Sequence, residues 1–199
     1  MQFLTVNKGR NCTSFILSSS KKHRCKRPRW HGGNYQNGTN GIPNNLDIME
    51  KIKEIQNLMD SRTLNSDSEC ELFEKSIQNL QGNISLNDIE NLLKVFYDET
   101  NNDEIMFSLI HLIETLRGED YLKKIAIFSP LMTDAHEWAM TLNKRILNSQ
   151  TFFEMYTDII KSLNSDSKKK ILALLDDIKE DNPQRFSEKI EVLKSRIKI

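Results

Sequence analysis

Residues 103–117 read Asp-Glu-Ile-Met-Phe-Ser-Leu-Ile-His-Leu-Ile-Glu-Thr-Leu-Arg, and this stretch decides the fold. Ile105, Met106, Phe107, Leu109, Ile110, Leu112, Ile113 and Leu116 leave only a strip of Ser108, His111 and Thr115 outside the apolar set, with Glu114 at its edge. A helix apolar nearly all round must be enclosed by other elements. Acids at its start and Arg117 at its end follow the order that a helix dipole favours. Gly118 is placed to close it. The spacing therefore predicts a central helix over 103–117, and the flanking sequence must supply what surrounds it.

On the amino-terminal side, residues 47–60 repeat Ile48, Ile52, Ile55, Leu58 and Met59 at helical spacing. Ser66 and Glu69 have capping-box spacing ahead of a second helix with Leu72, Phe73, Ile77 and Leu80, ended by Gly82. Ser85 or Asn87 starts a third, with Ile89, Leu92, Leu93, Phe96 and Tyr97 as its face. Asn101-Asn102 breaks the chain before the central helix. Beyond it, a short helix carries Tyr121, Leu122, Ile125, Ala126 and Phe128. Thr133 or Asp134 caps a sixth, with Trp138, Leu142, Ile146 and Leu147. A seventh carries Phe152, Phe153, Tyr156, Ile159, Ile160 and Leu163. Ser165-Asp166 caps an eighth, with Ile171, Leu172, Leu174, Leu175 and Ile178. Asn182-Pro183 opens a last helix with Phe186, Ile190, Leu193 and Ile197.

No segment alternates as a strand does. About nine helices of roughly 10–16 residues with short links are read as all-α, successive helices running antiparallel. The expected architecture is an irregular stack of helical hairpins, a small right-handed superhelix of the HEAT or armadillo type without a strict repeat period.

Charge divides the chain. Residues 1–46 hold eight Lys/Arg and no acid, whereas residues 47–199 hold the other twenty against all twenty-eight Asp/Glu. Residues 1–46 read as a disordered basic arm, rich in Ser, Asn and Gly with too few apolar side chains to offset ordering entropy. Residues 47–199 read as one helical domain; a body of about 150 residues buries roughly 70% of its unfolded surface. The cluster Lys21-Lys22-His23-Arg24-Cys25-Lys26-Arg27-Pro28-Arg29-Trp30 could neutralise phosphates and stack on a base, or be a solvated tail. The arm shares its acid-free, Ser- and Arg-bearing composition with organelle transit peptides but lacks their amphipathic pattern. No apolar run suits a secretory signal or approaches the roughly 20 residues of a membrane span. Cys12, Cys25 and Cys70 make no disulfide framework, and a reducing, cytoplasmic setting fits them. With His23 and His31, the first two match no compact zinc pattern, so neither metal nor cofactor is expected.

The body carries no motif for catalysis. His111 stands alone on its strip, either a contact residue or an inert one bonded to a neighbour. His136 and Glu137 are adjacent, so on a helix they diverge rather than form a dyad. Gly82 and Gly118 are the only glycines after residue 41, and no phosphate loop or nucleophile elbow exists. Asp98, Glu99, Asp103, Glu104, Glu119 and Asp120 sit at helix ends, where caps and dipoles want them, though together they could face a basic partner. Phe73, Phe96, Phe107, Trp138, Phe152, Phe153 and Tyr156 have the spacing of core aromatics. No enzyme is expected.

Residues 103–114, followed by Asp-Ala-His-Glu-Trp-Ala-Met at 134–140 and Asn-Lys-Arg-Ile-Leu-Asn at 143–148, resemble the immunity protein 30 family, helical antitoxins of bacterial polymorphic-toxin systems. The resemblance runs from about residue 69 to about residue 193, includes Asn-Pro-Gln-Arg-Phe at 182–186, and leaves the basic arm outside. It implies a protein of the bacterial cytoplasm that occupies and silences a cognate toxin. An acidic inhibitor suits a basic toxin, because opposite charge speeds encounter. The candidate contact surface is His111 and Glu114 with the helix-end acids Asp98, Glu99, Glu119 and Asp120, plus His136, Glu137 and Trp138, the last because interface hot spots are enriched in Trp. The alternative is a helical adaptor that holds nucleic acid through the basic arm.

Overall fold

Local capping chemistry sets most helix starts. The computed structural model describes residues 45–197. Among these are nine α-helices and no strand: α1 (Asn45–Asp60), α2 (Asp67–Leu80), α3 (Ile89–Leu93), α4 (Asp103–Ile113), α5 (Glu119–Phe128), α6 (His136–Leu147), α7 (Gln150–Ser162), α8 (Ser165–Asp181) and α9 (Pro183–Ile197). The all-α reading is correct. The basic arm, its Lys21–Trp30 cluster, Cys12 and Cys25 lie outside the described residues.

Five helices begin on a Ser or Asn side chain that takes a free amide of the first turn. Ser66 Oγ accepts from the Glu69 amide at 3.2 Å, Asn102 Oδ1 from Ile105 at 3.2 Å and Ser149 Oγ from Phe152 at 3.4 Å. Asn164 Oδ1 accepts from Ser167 at 2.9 Å, one residue ahead of the expected Ser165-Asp166 cap. Asn182 Oδ1 accepts from Arg185 at 3.3 Å, with Pro183 in the first turn as expected. The box at Ser66 closes only halfway, because the Glu69 carboxylate turns to the Asn65 amide (2.6 Å) and the Thr63 hydroxyl (3.0 Å). At Ser85, Asp88 Oδ2 accepts from both the amide and the hydroxyl of Ser85, each at 2.8 Å, and from Lys51 Nζ of α1 at 2.8 Å. Burial works to raise the Asp88 pKa, but these bonds together hold it below the usual carboxylate value.

Two helices are shorter than their patterns suggest. The third stops at Leu93, leaving Phe96 and Tyr97 beyond its end. Val95 and Phe96 are both buried. The central helix α4 stops at Ile113, not at 117. Past it the Thr115 amide and hydroxyl both donate to the Leu112 carbonyl (3.2 and 2.7 Å), and the Leu116 amide to that of Ile113 at 3.1 Å. These are the tight i to i+3 turns of a fraying end. Gly118, at φ 95°, therefore opens α5 instead of closing α4.

The stacking follows from ion pairs and rings. Asp176–Lys194 and Lys179–Glu191 join α8 and α9: three residues forward in one is three back in the other, so they form an antiparallel hairpin. Alternate helices run parallel. Phe107 meets Trp138 and Glu114 meets Arg145, seven residues on in both α4 and α6. Lys189 of α9 meets the Leu147 carbonyl at the end of α6, and Arg196 of α9 meets Glu154 of α7. With α2 packed on α4, α6 on α8, α3 on α5 and α5 on α7, even-numbered and odd-numbered helices form two layers. This is an irregular hairpin stack of the expected kind.

Met106, Leu109, Ile110 and Ile113 of α4 are inaccessible to solvent, as the opening stretch requires. The core contains one polar knot. Asn143 Nδ2 donates to Ser129 Oγ (2.8 Å) and to the Ala139 carbonyl (2.9 Å), while Tyr156 Oη donates to Asn143 Oδ1 (2.6 Å). At the stack's first helix, Ile48, Met49 and Ile52 are exposed, and burial of the α1 stripe begins at Ile55. Leu72, read as part of the α2 face, is also exposed.

Candidate functional site

The nine candidate contact residues occupy three neighbourhoods. Asp98, His111, Glu114 and Trp138 lie along the seam where α4 runs beside α6, with Glu99 exposed next to Asp98. His136 and Glu137 are exposed at the start of α6. Glu119 and Asp120 are exposed in the first turn of α5.

The upper seam is built by a loop that reaches across the stack. The N-cap position of α6 is Ala135, which offers no side-chain acceptor, so neither Thr133 nor Asp134 caps this helix. Asp98 does so from 39 residues away: Oδ2 accepts from the Glu137 amide at 3.1 Å and Oδ1 from the Trp138 amide at 3.4 Å. Its own amide donates to the Asp134 carbonyl at 3.0 Å. The Asp134 carboxylate meets the Thr133 hydroxyl and Arg62 Nη2, each at 3.0 Å, and these bonds hold its pKa low. Arg62 lies over the Tyr97 ring, its guanidinium carbon 4.8 Å from the centroid. Trp138 is 7% exposed. Its ring stacks on Phe96 at 5.6 Å and meets the edge of Phe107 at 5.9 Å, and Nε1 donates to the Tyr97 carbonyl at 3.2 Å. The ring and the polar tip of the indole are thus engaged within the chain.

Further along the seam the groups become accessible. Phe107 meets the His111 ring at 5.5 Å and the Arg145 guanidinium at 5.5 Å. Arg145 grips Glu114 with two bonds, Nε to Oε1 at 2.5 Å and Nη2 to Oε2 at 2.6 Å. The Glu114 carboxylate raises the Arg145 pKa still further. Burial raises that of the Tyr121 phenol, with Glu114 adding to the effect and Arg145 opposing it. This pair forms one wall of a cleft of about 640 Å³ lined by His111, Glu114, Arg117, Tyr121, Arg145 and Phe152, among others. Of the candidate residues only His111 and Glu114 line it. Arg117 read as a dipole partner of α4 and Phe152 as core. Arg145 stood in the 143–148 stretch without a role, and no local spacing marks a partner 31 residues away.

The chemistry these groups offer is recognition: two guanidinium groups, a carboxylate, an imidazole and aromatic walls. His111 is exposed, and its ring packs against Phe107. His136 Nε2 lies 3.4 Å from Asp177 Oδ2. Among the described residues no group of three or more His, Cys, Asp or Glu is placed to hold a metal ion, and no helix is long and apolar enough to cross a membrane.

Residues 60–156 match the family model described as immunity protein 30. The matched segment begins at the end of α1, stops within α7, and contains the seam, the cleft and all nine candidate residues. It starts earlier and stops earlier than the resemblance read over residues 69–193. No curated protein and no solved structure matches the chain.

Proposed function

With residues 60–156 assigned to the immunity protein 30 family, we propose that this chain binds and neutralises the cognate toxin of a bacterial polymorphic-toxin system by protein–protein contact, in the cytoplasm and without catalysis. The observation that carries the reading is where the family match falls: it takes in the whole seam and its cleft. A packed stack of helices suits an inhibitor, because a preorganised surface loses little entropy on docking. The partner is a basic protein. The body after residue 46 carries twenty-eight acids against twenty Lys/Arg, and such an excess raises the rate of encounter with a cation-rich surface. The helical body is the working part, and residues 1–46 are dispensable for it.

The test uses the toxin module encoded beside this chain's gene. Co-expression of the full chain should restore growth, as should a version starting at residue 45, and calorimetry with the purified module should give a saturable complex. Killing that persists with both proteins folded and expressed at matched levels would refute the reading.

A further inference from the structure

We infer that the cleft between the end of α4 and the α6–α7 corner receives an acidic side chain of the toxin, held by Arg117 with the free edge of Arg145. This rests on the toxin-binding reading and names a contact within it. The cleft is an electrostatic exception. The body as a whole is acidic, yet the charged side chains that line this cleft are Arg117 and Arg145 against Glu114 alone. Glu114 is consumed by Nε and Nη2 of Arg145, which leaves Arg145 Nη1 without a hydrogen bond among the described residues. Arg117 is exposed and has no ion-pair or hydrogen-bond partner among them. The helix ends meeting here offset one another, since the carbonyl ends of α4 and α6 face the amide ends of α5 and α7. Side chains therefore decide the sign, and the sign is positive. Guanidinium groups bind carboxylates through paired, planar hydrogen bonds, and Phe152 and Tyr121 supply walls that limit the access of water. Overall negative charge draws a basic toxin in; a local positive site at one point then fixes its register, which is how charge confers specificity.

Arg117→Glu separates the two effects. The substitution makes the body still more acidic, so long-range attraction to a basic partner is kept or strengthened. If the cleft is the anchor, affinity for the toxin module falls by at least about tenfold, and the loss lies in faster dissociation rather than slower association. Glu180→Lys on α8, an exposed charge reversal outside the cleft, should leave dissociation unchanged. Thermal melts of both variants should stay close to the parent's, because Arg117 is exposed and makes no ion pair or hydrogen bond among the described residues, so that only a small helix-end effect is lost. Toxin variants selected to bind Arg117→Glu again should exchange an Asp or Glu for Lys or Arg. Parent and Arg117→Glu chains with equal dissociation rates would overturn the inference while leaving toxin binding intact. Absence of binding by the parent chain would remove both. If Arg117→Glu converts a parent dimer to a monomer and spares toxin affinity, the occupant is a second copy of this chain, and the inference fails.

Discussion

Asp98 shows how one carboxylate can be read two ways. In the sequence it is one of several acids between helices, suited to meeting a basic partner. In the fold its two oxygens take the Glu137 and Trp138 amides in the first turn of α6. A cap needs an acceptor, not a charge, so the two roles separate by substitution. Asp98→Ala, which removes both acceptors, should destabilise the chain by about 1 kcal/mol, and Asp98→Asn, which keeps one, should cost less; urea denaturation of both variants checks this. Asp88 offers a pH test. Burial pushes its pKa up, but its bonds to Lys51 and Ser85 outweigh this and hold the folded pKa below the ordinary aspartate value of 3.8, so the folded state releases this proton more readily than the unfolded chain. The stability it contributes is complete above that value and is lost as pH falls through the lower, folded one. Asp88→Asn should therefore be less stable than the parent at pH 7, and the difference should shrink as pH is lowered through 3.8, measured by denaturant midpoints across the acid range.

At the level of elements, the Asn143 knot joins α6, α7 and the 129–131 turn through groups that are all satisfied. Removing one hydroxyl changes that. Tyr156→Phe keeps the ring and leaves Asn143 Oδ1 buried without its donor, at a cost of about 1–3 kcal/mol. Calorimetric melts should register it as a lower midpoint with the transition still cooperative. The Glu114–Arg145 pair behaves differently. It is partly exposed on both sides, so its coupling is small next to that of the knot. Its consequence is positional: it pins the guanidinium in the cleft wall and leaves one edge free.

Across the whole molecule, charge and shape act at different distances. Under the proposed function the acidic body governs encounter with the toxin, and the prediction is kinetic. The association rate with a basic toxin module should fall steeply between about 50 and 200 mM salt while dissociation changes little; stopped-flow mixing at several salt concentrations measures both. The parallel run of α4 beside α6, marked by Phe107–Trp138 and Glu114–Arg145 seven residues apart, forms one wall of the cleft.

Helix identity, order and most starts were legible in residue spacing alone, because amphipathic periodicity and Ser or Asn caps are local properties. Helix ends were less so: α3 and α4 stop where Val95–Phe96 and residues 114–117 find contacts or turns that no local pattern encodes. The candidate site divided the same way. His111 and Glu114 were singled out because they interrupt an apolar surface, which sequence shows. The capping or dipole role of Asp98 was legible, but not that it caps α6 from 39 residues away; the pairing of Arg145 with Glu114 escaped notice for the same reason, because it joins segments 31 residues apart. The sequence by itself determined an acidic all-helical body and its buried central helix, since burial follows from periodicity. Only the tertiary structure decided which charges neutralise each other and which are left over, because electrostatic pairing depends on distance in space and not along the chain.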